Sequence, residues 1–193
     1  MPKTPPRLLP TALSTALATA SLLAAATLCP APAVAAGARE SVVTALDYNA
    51  TGWRYLQVPP SGDAPRFYER GYDDSGWAVG QAGFGSPSGQ CPWNRPATVK
   101  TGWAVNTELL ARHWIHLPRD AQEVRIQGTV DNDAQVYMNG TLLQTVASGN
   151  CKAGAIDVVV PASALECCNL LAIRARDRGG WAYLNVKVTY VKP

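Results

Sequence analysis

Beyond residue 40 the apolar positions recur every second residue in short runs, and no long window places them at helical spacing. Val124, Ile126, Gly128 and Val130 fall on one face of such a run, with Arg125, Gln127 and Thr129 on the other. Leu171, Ile173 and Ala175 alternate with Ala172, Arg174 and Arg176, and Leu184, Val186, Val188 and Tyr190 with Tyr183, Asn185, Lys187 and Thr189. Alternation with one polar face is what antiparallel strands of a two-sheet sandwich require. Further strands are expected at 42–46, 53–58, 109–117, 134–138, 141–146 and 155–160. The pattern predicts an all-β chain.

Turn chemistry supports the same reading. Asn139-Gly140 lies between two strand-like runs and is the preferred pair for a type I′ hairpin. Asp177-Arg178-Gly179-Gly180 marks another turn. Residues 83–102, punctuated by Gly83, Gly85, Pro87, Gly89, Pro92 and Pro96, form the one long irregular stretch, and Cys91 inside it suggests that it is tied down.

The first part of the chain follows different rules. Lys3 and Arg7 precede an Ala-rich apolar run from Leu8 to Leu28, and Ala33-Val34-Ala35 offers the small-x-small pattern that a signal peptidase reads. Residues 1–36 are expected to be a cleaved signal peptide and 37–193 a single secreted, extracellular domain. A membrane anchor fits less well, because Thr and Ser interrupt the run and Ala is only weakly apolar. A lipid anchor at Cys29 is disfavoured by the bulk of Leu28. No later apolar run is long enough to span a bilayer, so the mature chain is not expected to be membrane-embedded.

Charge narrows the partners. The sequence has 17 Lys and Arg against 14 Asp and Glu, and the leader holds two of the basic residues and none of the acids. The remainder is close to neutral, whatever the overall pI of 8.6 suggests. It lacks the basic field of a nucleic-acid binder.

Four cysteines lie beyond the leader: Cys91, Cys151, Cys167 and Cys168. An even number in an exported chain reads as two disulfides with three possible connectivities. Cys91–Cys151 is favoured. A bridge between adjacent Cys167 and Cys168 would be strained, since neighbouring Cα atoms sit about 3.8 Å apart. The alternative sends each of that pair to one of the other two. The spacings and the lack of nearby histidine argue against zinc.

Little in the sequence suggests catalysis. His113 and His116, three apart on a strand, point to opposite faces and cannot share an ion. Asp131-Asn132-Asp133 resembles the start of a calcium loop but fails as an EF-hand at Gln135 and Val136. A looser structural calcium site on Asp131 and Asp133 is the one metal candidate, beside the simpler role of a tight turn into the next strand. No other cofactor is expected. There is no nucleophile elbow, and Gly83-Phe84-Gly85-Ser86 does not extend to a dinucleotide fingerprint.

The aromatic residues are more informative. Of six tryptophans, Trp53, Trp77 and Trp114 are assigned to the core. Trp93 lies in the long loop, and Trp181 directly follows Gly179-Gly180. If the turn at Arg178-Gly179 closes a hairpin, Arg176 pairs across from Trp181 and Arg174 from Tyr183. Cationic and aromatic side chains would then share one face, either as a cover for the outer sheet or as a stacking and hydrogen-bonding platform for a sugar.

Several segments together carry a resemblance. They are Trp53-Arg54-Tyr55-Leu56; Tyr72-Asp73-Asp74-Ser75-Gly76-Trp77 with Gly80, Ala82, Gly83, Phe84 and Gly85; 130–140; and Asn169-Leu170-Leu171-Ala172-Ile173-Arg174-Ala175. From about residue 41 to 191 the chain resembles the galactose-binding-domain-like jelly roll found in sugar-binding domains of many glycoside hydrolases and in other bacterial exported proteins. The resemblance implies a jelly-roll β-sandwich and a ligand on end loops or on the concave sheet. Carried to this chain, that points to the loop bearing Trp93 and to the turn with Asp177, Arg178 and Trp181, to which the hairpin reading adds Arg176 and Tyr183 as candidate ligand-binding residues. The chain is expected to differ from such modules in standing alone behind its leader, and it places Cys167-Cys168 where glycine often precedes the strand.

The expected function is therefore a secreted, non-catalytic module that binds a polysaccharide or other glycan. The alternatives are an envelope protein using the same sandwich for protein contacts, and a small hydrolase with paired carboxylates 5–10 Å apart.

Overall fold

The structure, a computed structural model, describes residues 40–60, 66–149 and 152–193. The leader, Cys29 and Cys151 lie outside the described residues.

Twelve strands form the framework: β1 (Ser41–Leu46), β2 (Trp53–Val58), β3 (Ala78–Gly80), β4 (Phe84–Gly85), β5 (Thr101–Gly102), β6 (Glu108–Ile115), β7 (Gln122–Asp131), β8 (Asp133–Met138), β9 (Thr141–Ala147), β10 (Ile156–Val159), β11 (Asn169–Arg176) and β12 (Tyr183–Lys192). The first sheet runs β10-β7-β12-β4-β5, with β1 also paired to β12, and the second runs β3-β2-β6-β11-β8-β9. All described pairs are antiparallel except β4 with β5. The protein is an all-β sandwich.

The predicted alternation places the core. Val124, Ile126 and Val130 of β7 and Leu184, Val186 and Val188 of β12 meet Leu171, Ile173 and Ala175 of β11 and Leu109, Ala111 and Ile115 of β6 between the sheets. The β8–β9 hairpin turns through Asn139 and Gly140, both at positive φ (51° and 88°), as a type I′ turn demands. Asn139 also fixes the following strand, since its Oδ1 accepts from Leu170 N at 2.8 Å and its Nδ2 donates to Ala164 O at 2.8 Å.

The second sheet is covered on both sides. Its outer face carries a smaller core in which Phe67 and Trp77 pack on Leu110, Tyr137 and Ala172, with Val58, Tyr68 and Tyr72 beside them. The strap formed by residues 66–77 is anchored by Arg112, which is 2% exposed and donates to Asp74 Oδ2 (2.5 Å), Tyr72 O (3.0 Å) and Glu69 O (2.9 Å). Tyr68 stacks on Tyr137 with ring centroids 4.6 Å apart. Two-sided cover explains why the first five residues of β6 are buried on both faces, Glu108 and Arg112 among them.

Three expectations need correction. Trp53 and Trp77 are core residues, but Trp114 is 43% exposed on the outer face of β6, where the Arg70 guanidinium of the strap lies 5.2 Å from its ring. The segment 83–102 is not wholly irregular, since it supplies β4 and β5. Finally, β11 and β12 form no hairpin. They belong to different sheets, so Arg176 does not pair with Trp181 nor Arg174 with Tyr183.

Candidate functional site

The chain passes between the sheets at two places that touch. Asp131-Asn132-Asp133 leads from β7 into β8, and residues 177–182 lead from β11 into β12. Asn132 joins the crossings, its N donating to Arg176 O (3.0 Å) and its Oδ1 accepting from Arg178 N (2.8 Å). The second crossing is fixed by Asp177, whose Oδ2 accepts from Asn106 N (2.5 Å) and Gly179 N (2.9 Å). At 1% exposure Asp177 shapes the turn and is closed to a ligand, contrary to expectation.

Next to this junction the outer face of the second sheet lies open, past the end of the strap. A cleft of about 550 Å³ is lined by Glu108, Asp133, Gln135, Thr145, Arg174, Arg176 and Arg178, with Ala134, Val146 and Ala147 completing the wall. Arg174 and Arg176 lie two residues apart on one face of β11, about 7 Å along the strand, and Arg178 follows just past its end. Arg174 Nε donates to Glu108 Oε2 at 2.6 Å, and Glu108 is almost wholly buried. Arg178 Nε donates to Asp133 Oδ2 at 2.8 Å. Gln135 is oriented from beneath the strap, its Oε1 accepting from Tyr137 Oη at 3.1 Å. Arg174, Arg178 and Gln135 are thus held in place by groups rooted in the sheet.

A second, narrower hollow of about 290 Å³ lies on the first sheet between Tyr48, Asn49, Trp93, Ala97, Thr98, Thr129, Tyr183 and Asn185. Trp93 and Tyr183 lean together with ring centroids 5.8 Å apart. Tyr183 is only 5% exposed, and burial raises its hydroxyl pKa above the usual tyrosine value. These rings chiefly seat the loop on the sheet. The loop is fastened by Asn94, whose Nδ2 donates to Ser86 O (3.0 Å) and Ala182 O (3.1 Å). A Cβ on Gly89 would stand 2.6 Å from Cγ of Trp181, so the loop closes directly on that indole.

The expected ligand set therefore divides. Arg176 and Arg178 line the cleft, Trp93 and Tyr183 line the hollow on the other sheet, and Asp177 and Trp181 hold the crossing and the loop. Glu108, Gln135 and Thr145 carry no signal in the sequence; of the cleft, the sequence points to Arg174 and Arg176 on one strand face and to Arg178 in the turn that follows.

The two calcium candidates lie on opposite sheets, at the end of β7 and the start of β8. Asp133 is engaged by Arg178. Asp131 is buried, accepts from Asn132 Nδ2 at 2.8 Å, and has its pKa pushed up to about 6 by burial and then by the charge of Asp177. Among the described residues no group of three or more His, Cys, Asp and Glu side chains is placed to hold a metal ion. His113 is occupied with Thr51 O (2.9 Å) and Trp114 O (2.8 Å).

The cysteines depart from the expected two bridges. Cys167 is exposed and Cys168 half-buried, and both are free. Adjacency forbids an unstrained bond between them, and the Cys168 carbonyl accepts instead from Arg70 Nη1 at 2.6 Å. Cys91 is fully buried and is not without a partner.

Solved structures share this architecture. A β-glucuronidase 2 from Bacteroides uniformis aligns over 79% of this chain with 16% identity and a TM-score of 0.53. A β-glucuronidase from Ruminococcus gnavus aligns over 79% with 12% identity and a TM-score of 0.51. The likeness is one of fold. The chain shares their all-β, two-sheet sandwich. Such a sandwich is a small part of those enzymes, spanning 18% of the first and 29% of the second. No protein-family model and no curated protein matches the sequence. Among the described residues no helix is long and apolar enough to cross a membrane.

Proposed function

We propose that this protein is a secreted, non-catalytic glycan-binding module whose ligand lies in the arginine-lined cleft of the second sheet. The observation that carries the reading is the half-open outer face. One half is sealed by the strap, and the other presents two guanidiniums, an amide and a hydroxyl on strands, with the Arg178 guanidinium just past the end of β11. Sugars are recognised by a few fixed polar groups at the wall of a shallow cleft. Strand-borne side chains locked by ion pairs lose little freedom when a ligand arrives.

The same geometry speaks against hydrolysis. Glu108 and Asp133 are the carboxylates of the cleft, and each is engaged by its own arginine rather than set across a bond from the other. Glycosidases need one carboxyl group free to donate a proton. The glycoside hydrolases of like fold carry this sandwich as less than a third of their length, which also favours an accessory role. The leader supports export, and the buried Cys91 together with free Cys167 and Cys168 supports a Cys91–Cys151 disulfide.

The test is retention on a panel of immobilised polysaccharides, read beside the release of reducing ends. Retention that Gln135→Ala with Arg178→Ala weakens at least tenfold, with no sugar released, is expected. Retention on no glycan, or release of sugar, would overturn the proposal.

A further inference from the structure

The cleft holds three guanidiniums and two carboxylates, and the pairing between them is uneven. In the strand register Arg176 stands opposite Glu108 of β6 on one side and Asp133 of β8 on the other. It bonds to neither. Glu108 closes on Arg174, two residues back, and Asp133 on Arg178, two residues on. The central guanidinium is exposed and makes no ion pair or hydrogen bond among the described residues. The outer pairs neutralise each other and fix the middle position, leaving one surplus positive charge at the centre of a concave surface.

From this we infer that the glycan taken by the cleft is acidic, a uronate-bearing chain whose carboxylate docks on Arg176. The inference rests on the glycan reading above and names its ligand class. A guanidinium offers a planar fork of N–H donors that matches a carboxylate in two parallel bonds. A concave wall concentrates the field of an uncompensated charge, so an anion gains more here than on a flat surface. The neighbouring groups suit a sugar better than a simple polyanion. Gln135 and Thr145 add neutral hydrogen-bonding groups beside the charge, and the paired Asp133 and Glu108 leave Arg176 as the one uncompensated charge of the cleft. A phosphate-rich nucleic acid fits poorly with a chain that is close to neutral beyond its leader.

Calorimetry separates the possibilities. Galacturonate-, glucuronate- and mannuronate-based oligosaccharides are titrated into the protein, each beside its carboxyl-reduced neutral counterpart, with polyglutamate as a non-sugar anion. At least one acid form is expected to bind ten times more tightly than its neutral partner. Arg176→Ala should bring the two within about twofold, and Arg176→Lys should restore only part of the difference. Because the Arg176 side chain holds nothing else, both variants should keep the parent melting temperature. Equal affinity for acid and neutral forms, or a preference that survives Arg176→Ala, overturns the inference and leaves the glycan reading standing. Polyglutamate binding as tightly as the best uronate overturns it in favour of a general anion site. No binding of any sugar, acid or neutral, overturns both.

Discussion

Arg176 stands directly across from Glu108 in the strand register, yet the Glu108 carboxylate closes on Arg174, whose Nε lies 2.6 Å from Oε2. This diagonal pairing separates the arginines into supports and a presented group. Their substitutions should therefore differ. Arg174→Ala removes a charge partner from a nearly buried carboxylate and should cost about 2–3 kcal/mol of stability. Arg176→Ala alters an exposed side chain and should stay within about 0.5 kcal/mol of the parent. Urea unfolding of the two variants gives both numbers. Equal destabilisation would mean that Arg176 is structural after all.

The strap depends on Arg112 as the open cleft depends on the strap's ending. Arg112 is 2% exposed and ties three strap residues to β6. Arg112→Ala leaves Asp74 and two carbonyls without this donor and should destabilise the fold by about 3–5 kcal/mol. Chemical denaturation measures this. Limited proteolysis should then cut first within residues 66–77. A change below 1 kcal/mol, or first cuts elsewhere, would show that aromatic packing alone holds the segment.

Acid should stabilise the protein through one group. Asp131 has its folded pKa raised to about 6 against an ordinary 3.8, first by burial and then by Asp177. Above pH 6 the folded chain must keep this carboxylate ionised in a poor environment, whereas below about pH 4 both states carry the proton and the penalty vanishes. The contribution of Asp131 thus grows more favourable as pH falls from 7 to 4. Asp131→Asn should raise stability at pH 7 and leave it close to the parent at pH 4. Melting curves of the pair across that range check the sign, and an Asn variant less stable at pH 7 than at pH 4, relative to parent, would refute it.

The β8–β9 turn makes a local prediction. Gly140 sits at φ +88° with open space around a would-be Cβ, so the cost of a side chain there is backbone strain alone. Gly140→Ala should cost about 1–2 kcal/mol, measured by urea unfolding, without altering glycan retention.

The strands were legible because half of each one faces a dry interior, which imprints a period of two on the sequence. Residues 53–58 were read with the bounds that β2 has, and Asn139-Gly140 named its own turn. The order of the strands was not legible. A turn signal such as Asp177-Arg178-Gly179-Gly180 is equally at home in a hairpin and in a crossing between sheets, and only packing decides. That ambiguity misplaced Trp181, which was drawn beside Arg176 and instead lies under the loop at Gly89. The strands β3, β4 and β5 escaped notice because two or three glycine-rich residues carry no period. Trp114 is expected inside because most large aromatics of a small sandwich are core, and nothing local says where a covering strap ends. The cleft was half visible. Its arginines alternate in sequence, but Glu108 and Gln135 come from other strands, and strand neighbours cannot be read from one strand alone.

Where a glycan touches the sandwich is the decisive point. Backbone and side-chain NMR shifts, followed while the uronate oligosaccharides are added, measure this directly. The prediction is a set of saturable shifts at Gln135, Thr145, Arg174, Arg176 and Arg178. Shifts confined to Tyr48, Trp93 and Tyr183, or none at saturating sugar, would contradict it.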